Sequence, residues 1–319
     1  MTEPVGAAAH FATVKVESPA AMTTTIDVGI CTFRRPAVVE TLASLARQTL
    51  PPEISLRIIV ADNDAEPEAR ARVLTAAEAH GLDVVYVHAP ARNISIARNA
   101  CLDAALGDWI AFLDDDEAAS PGWLAALLAE AQASGWDAVL GPVKALYGPD
   151  APRWIALGDF HSTRPAPVGG RILKGYAGNV LIRRRAMEAA GLRFDPRLGR
   201  QGGEDDDFFY RLTDAGGSIG FAPDALAFEP VPPQRASLTW LLKRSFRTGQ
   251  THAARLLGRH RGPARVAQIG LAGAKGSACL AGAAVALLSP VARCRWLVRG
   301  SLHAGVAARL AGLKVLELY

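Results

Sequence analysis

The chain is short of several things, and each shortage removes a class of protein. Its four cysteines, Cys31, Cys101, Cys279 and Cys294, form no CxxC pair and no Cys/His cluster. That spacing excludes a zinc framework or a disulfide scaffold and suits a reducing cytoplasm. The first strand-like run, "VGICTFRRP" (Val28–Pro36), lacks the GxGxxG of a dinucleotide oxidoreductase and the GxGTR-type loop of a sugar nucleotidyltransferase. Residues 1–24 contain no long apolar stretch, so they read as a loose, disordered tail and not as a signal peptide. No internal repeat is visible. Acids nearly vanish from the last part of the chain: from residue 231 onward there are fourteen Lys/Arg and one acid, Glu317. The rest carries 21 basic and 30 acidic residues, so a net charge of +4 hides two halves of opposite sign. An acidic front half is a poor binder of nucleic acid and suits a metal site. A basic, Leu/Ala/Gly-rich end suits an anionic membrane face.

Half of the 319 residues are apolar, enough for a sizeable core in one large domain or a domain with an appendage. The front half alternates strand-like and helix-like segments. Ile26–Cys31, Arg57–Ala61, Val84–Val87, Trp109–Leu113 and Asp137–Leu140 read as strands. Pro36–Gln48, Pro67–His80 and Ile94–Leu106 read as helices between them. Ser120, with Pro121 after it, reads as the cap of a further helix ending near Gly135. This alternation predicts an α/β fold: a Rossmann-like, mostly parallel sheet with helices on both faces. Ile172–Arg183 reads as strand and turn, Ala186–Gly191 as a short helix, and residues 231–319 as helical. Ligands of such sheets bind beyond the carboxyl ends of the strands. Three polar clusters fall there: Thr32–Arg35, Asp62–Asp64 and Asp114–Asp116.

Three adjacent carboxylates at a strand end need a positive partner. A solvated acidic turn is one reading; a hard divalent cation, held by few carboxylates and completed by water and phosphate oxygens, is the other. A second acidic cluster, "GGEDDDFFYRL" (Gly202–Leu212), has the apolar stripe of a helix in Phe208, Phe209 and Leu212. Glu204 and Asp205 then stand at its N-terminus, where acids complement the dipole or serve as a general base.

In order, "VGICTFRRP", "IIVADND", "ARNISIARNACLDAALGDWIAFLDDDE", "YAGNVLIRR" and "GGEDDDFFYRL" resemble a family 2 inverting glycosyltransferase of the GT-A fold. The nearest likeness is to bacterial exopolysaccharide glucosyltransferases of the succinoglycan type, to which Leu242–Arg255 adds. The resemblance covers residues 26–255. It implies a UDP-sugar donor and a hydroxyl acceptor on a glycan or lipid-linked glycan. It also implies Mg2+ or Mn2+ held by Asp116 with Asp114, Asp115 beside the ribose or the metal, and Asp205 as catalytic base with Glu204 beside it. Thr32 and the loop after it, with Arg34, would border the nucleotide. Asp62 would bond the uracil, with Asp64 next to it; Arg98 and Asn99 would line the donor pocket, and Gly178 and Asn179 would face the donor sugar. A QxxRW motif of processive members is absent: Gln234, Arg235 and Trp240 stand at another spacing, which points to transfer of a single sugar. Where many relatives place a histidine near the end of the catalytic domain, this chain offers Glu229.

The organisation expected is therefore a tail (1–24), a GT-A catalytic domain (25–255) and a basic helical extension (256–319). Within the extension, residues 276–292 carry no charge. An interfacial helix pair on the cytoplasmic leaflet fits them best, ahead of a helical cap on the catalytic domain and of a membrane span. The expected location is cytoplasmic, peripheral on the inner face of the cell membrane. The rival readings are an Mg2+-dependent phosphatase or nucleotidyltransferase, and a non-enzymatic, metal-binding scaffold at the membrane.

Overall fold

The computed structural model describes residues 23–316. Residues 1–22 of the tail expected at 1–24 lie outside the described residues, and Thr24 already opens the first strand. In chain order the elements are β1 (Thr24–Thr32), α1 (Val38–Leu45), β2 (Ile54–Asp62), α2 (Arg70–His80), β3 (Val84–His88), α3 (Ile94–Ala104) and β4 (Trp109–Leu113). Then follow β5 (Ala118–Ala119), α4 (Trp123–Ser134), β6 (Ala138–Leu140), β7 (Val143–Tyr147), α5 (Arg153–Gly158), β8 (Asn179–Arg183), α6 (Arg184–Ala189) and α7 (Glu204–Asp214). The last are β9 (Ile219–Phe221), β10 (Ala227–Val231), α8 (Leu238–Arg259), α9 (Pro263–Val285) and α10 (Pro290–Leu310).

Seven strands form the main sheet in the order β3-β2-β1-β4-β8-β6-β9. β3, β2, β1 and β4 run parallel to one another, as do β6 and β9; β8 is antiparallel to both its neighbours. Both faces are buried, and the period-two alternation of strand side chains divides them. Along β4, Trp109, Ala111 and Leu113 face one apolar cluster while Ile110 and Phe112 face the other. Helices α1, α2 and α4 cover the first face through Val38, Leu42, Val73, Trp123 and Leu127. Helices α3, α6 and α7 cover the second through Ala97, Cys101, Met187, Phe208 and Phe209. The expected α/β architecture with helices on both faces is observed.

One local expectation is corrected, and two features are new. Ser120 does not cap α4: Gly122 holds the cap position, and the Ser120 carbonyl instead accepts from Trp123 N and Gln48 Nε2. The segment 172–183 forms a strand only from Asn179, and its direction reverses the sheet. A second sheet, β5-β10-β7, was not foreseen. Its β7 and β10 pair in parallel from Val143↔Ala227 to Val231↔Tyr147, across some eighty residues of sequence.

Of the C-terminal helices, α10 packs against both α8 and α9. α8 and α10 touch backbone to backbone: a Cβ on Gly249 would stand 2.0 Å from Leu302 O, and one on Gly305 would stand 1.9 Å from Phe246 O. α8 runs unbroken through residue 255, where the catalytic domain was expected to end. The uncharged run 276–292 is split by the turn between α9 and α10. Among the described residues, no helix is long and apolar enough to cross a membrane.

Candidate active site

Because β1, β2 and β4 are parallel and in register, Thr32, Asp62 and the Asp114–Asp116 triplet emerge at one edge. β8 runs the other way, so the pairing Leu113↔Asn179 brings Gly178 and Asn179 to the same edge. Here a cavity of about 1040 Å3 opens. Thr32, Arg98, Asp114, Asp115, Asp116, Gly178 and Asp205 all line it. The two acidic clusters, ninety residues apart in sequence, therefore share one cleft. Asp205 owes its place to Gly202 and Gly203 before α7. Both have positive φ (78° and 92°), and a Cβ on Gly203 would lie 2.4 Å from Thr251 Cγ2, so only glycine lets α7 start this close to α8.

Two arginines distribute positive charge among the acids. Arg35 Nη1 donates to Asp115 Oδ1 at 2.9 Å and pairs with Asp116 Oδ2 at 2.5 Å. Arg98 Nη1 donates to Glu204 Oε1 at 2.7 Å, while its Nη2 lies 3.8 Å from Asp114 Oδ1. Arg98 thus ties the strand-end triplet to the N-terminus of α7. Burial works against its cation, but Glu204, Asp114 and Asp205 outweigh that and raise its pKa.

The carboxylates remain under-compensated. Burial pushes Asp115 up from 3.8 to about 6, against the pull of Arg35. Burial also raises Asp114, with repulsion from Asp116 added and Arg98 opposing. Glu117, buried beside Asp114, is raised well above its usual range by burial and then by Asp114. Glu229 is raised by burial and by the charges of Asp116 and Asp114, although Arg235 pairs with it at 3.0 Å. Asp114 Oδ2 and Glu117 Oε1 would each stand 2.9 Å from a Cβ on Gly178, so this glycine leaves a cradle lined by carboxylate oxygen.

That donor set, hard oxygens with surplus negative charge, fits a hard divalent cation held by one or two carboxylates. Among the described residues no group of three or more His, Cys, Asp or Glu is arranged to hold an ion by itself. An ion here would draw its remaining ligands from water and from a bound diphosphate.

Not every residue singled out from sequence faces the cleft. Asp62 is buried and turned inward: it accepts from Tyr86 Oη at 2.6 Å and from Ala69 N and Asp64 N at 3.1 Å. Its neighbour Asn63 lines the cavity instead. Arg34 points outward and pairs with Asp64 at 2.6 Å, so neither lines the cavity. Arg34 has φ of +56°, and this left-handed turn hands the cleft-facing position to Arg35. Asn99 clasps the backbone of Phe194, donating to its carbonyl at 2.8 Å and accepting from its N–H at 2.9 Å. Asn179 is fully buried, accepts from Trp123 Nε1 at 2.7 Å and donates to Pro142 O and Ala225 O. These two amides brace the walls. Glu204 is bound to Arg98 and lies outside the main cavity, so geometry gives it a positioning role beside Asp205.

The sequence reading also missed residues. His161 and Trp240 stack across the cavity wall at 5.1 Å between centroids and 18° between planes. His161 stands alone in a Pro/Gly-rich stretch, and nothing local marks it. Arg35 was visible in "TFRRP", one residue from the arginine chosen. A second cavity of about 510 Å3 shares Thr163, Tyr176, Asp205 and Arg244 with the first. One face of α8, through Arg244, Arg247, Thr248 and Thr251, forms its wall.

A mostly parallel sheet thus carries an acidic triplet at one edge, faced by a carboxylate at a helix N-terminus. The chain belongs to glycosyl transferase family 2, whose model matches residues 27–191. It is 52% identical over 294 residues to the succinoglycan biosynthesis protein ExoM of Rhizobium meliloti (strain 1021), covering 92% of this chain and 95% of that one. It is 29% identical over 223 residues to the pre-mycofactocin glycosyltransferase of Mycobacterium tuberculosis, covering 64% of this chain and 43% of that one. Among solved structures it resembles the mannosyltransferase PcManGT of Pyrobaculum calidifontis in complex with GDP-Man and Mn2+. That match has a TM-score of 0.62 and 21% identity, over 92% of this chain and 89% of that one. It also resembles residues 1–349 of S. aureus TarS in complex with UDP, with a TM-score of 0.53 and 17% identity, over 91% and 92% of the two chains. At these identities the solved structures speak for the fold.

Proposed function

We propose that this enzyme transfers a single hexose from a UDP-sugar to a hydroxyl of a lipid-linked or polysaccharide acceptor by direct, inverting displacement. The observation that carries the reading is that Asp205 and the Asp114–Asp116 triplet line one cleft. Succinoglycan is an exopolysaccharide, and the kinship with a protein of its biosynthesis supports a glycan acceptor and makes glucose the first donor sugar to test. The TarS complex with UDP supports the choice of nucleotide.

The donor lies against the strand edge, with the base near Asn63 and the diphosphate beside the triplet. Asp116, with Asp114, would hold Mg2+ or Mn2+, which when bound supplies Lewis-acid stabilisation to the departing diphosphate. Arg98, fixed by Glu204, places a guanidinium near the same charge. The acceptor enters from the second cavity, which meets the first at Asp205. Asp205 takes the proton of the attacking hydroxyl, and the acceptor oxygen displaces the nucleotide from the opposite face of the sugar. Holding both substrates across one carboxylate converts an encounter into an oriented attack. The spacing of Gln234, Arg235 and Trp240 favours one transfer over polymerisation. Residues 25–255 form the catalytic unit, and the enzyme works as a peripheral protein at the inner face of the cell membrane.

A thermal-shift titration with UDP, with and without Mn2+, tests the donor side. Stabilisation by UDP that depends on the metal is the expected result. Equal stabilisation by every nucleotide, or ion binding alone, would favour the scaffold reading. A panel of UDP-sugars, with transfer measured in the wild type and in Asp205→Asn, tests the chemistry.

A further inference from the structure

The C-terminal helices expose what a water-facing surface normally hides. α9 is 23 residues long, yet only Ala272, Cys279 and Ala283 of it are buried. Its outward stripe, spaced by alternating fours and threes, reads Ala267, Leu271, Ala274, Ala278, Ala281 and Val285, continuing into the turn at Leu288. Every one of these is exposed and none is charged. Val285 is 88% exposed, and Leu288, at the tip between α9 and α10, is fully exposed, with Leu287 beside it. Contiguous apolar surface of this kind marks an interaction site.

Charge identifies the occupant. Residues 231–316 hold fourteen Lys/Arg and no acid. Exposed Arg259 and Arg261 stand just before α9, and exposed Arg293 and Arg295 just after the tip, so both ends of the apolar stripe are bracketed by cations. Two copies of such a surface would repel one another, whereas an anionic lipid leaflet attracts both ends. We infer that the outer face of α9 and the 285–288 tip seat on an anionic lipid bilayer, apolar stripe inward and arginines at the headgroups. This is a surface-lying attachment, since among the described residues no helix is long and apolar enough to cross a membrane. It deepens the reading of a peripheral enzyme and is independent of which sugar is moved.

Flotation of the full chain with vesicles of phosphatidylcholine alone, and of phosphatidylcholine mixed with phosphatidylglycerol, tests it without any transfer assay. Binding to the mixed vesicles only, weakening as salt rises, is expected. Leu287→Glu/Leu288→Glu should lower that binding about tenfold or more, and Arg261→Gln/Arg293→Gln should remove the preference for anionic lipid. All four side chains are exposed, so both variants should keep the wild-type melting temperature. No binding by the wild type would overturn the inference, as would unchanged binding by the Leu variant. A concentration-dependent dimer that Leu271→Glu dissolves would assign the stripe to a second copy. UDP stabilisation measured on the same samples keeps failure here distinct from failure of the catalytic reading.

Discussion

The strand-end cleft and the C-terminal helices use charge in opposite ways. In the cleft, acids are buried or half-buried, crowded and held by two arginines, and apolar side chains lie behind them in the sheet. Along α9 and the tip that follows it, cations stand in solvent and a stripe of apolar side chains lies outside. The contrast separates side chains the fold depends on from side chains it does not. A buried charge that loses its partner costs stability, whereas an exposed leucine can be exchanged at almost no cost to the fold.

Four experiments break or sharpen that comparison. The largest effect is on catalysis: Asp205→Asn should lower transfer about a hundredfold to ten-thousandfold, with UDP binding retained. Transfer at the wild-type rate would remove Asp205 from the mechanism. Next, Arg98→Ala strands Glu204, whose Oε2 already has no hydrogen-bond partner among the described residues. Such a break should cost about 3–5 kcal/mol, read by denaturant unfolding. Adding Glu204→Gln should restore part of the loss, because the neutral amide no longer needs a guanidinium.

Third, Asp115 shifts the pH dependence. Its folded pKa of about 6 lies above its usual 3.8, so between these values the folded state holds a proton that the unfolded chain has lost. Its contribution to stability should therefore be greatest below about 4 and fall as pH rises to 6. Asp115→Asn should flatten that segment of the melting-temperature profile. The smallest effect is in the other region: Leu288→Glu should change stability by no more than about 0.5 kcal/mol. A large drop in melting temperature would mean that the tip is packed.

Much of the cleft was legible in advance. Trp109–Leu113 ends at the triplet, and alternating strands and helices place all such ends on one edge. Phe208, Phe209 and Leu212 sit at helical spacing and are buried as expected, which fixes Asp205 at the start of α7. The individual side chains were less legible. Asp62 and Asn63 are adjacent, and which of them faces the cleft depends on Tyr86 and Ala69, partners in other elements. Arg34 and Arg35 differ by one backbone turn. The β7–β10 pairing joins segments too distant for any local pattern, and with it comes the wall that carries His161.

By itself the sequence determined the parallel strands β1 to β4 and the edge at which their polar ends emerge. It also determined the two carboxylate clusters and the division of the chain into acidic and basic halves. These rest on periodicity and composition, which are local. Tertiary structure alone decided that Asp205 and the triplet meet, that Arg98 joins them through Glu204, and that α9 keeps its apolar side outward. Those outcomes depend on contacts between residues far apart in sequence, and such contacts exist only once the sheet has formed and the helices have docked.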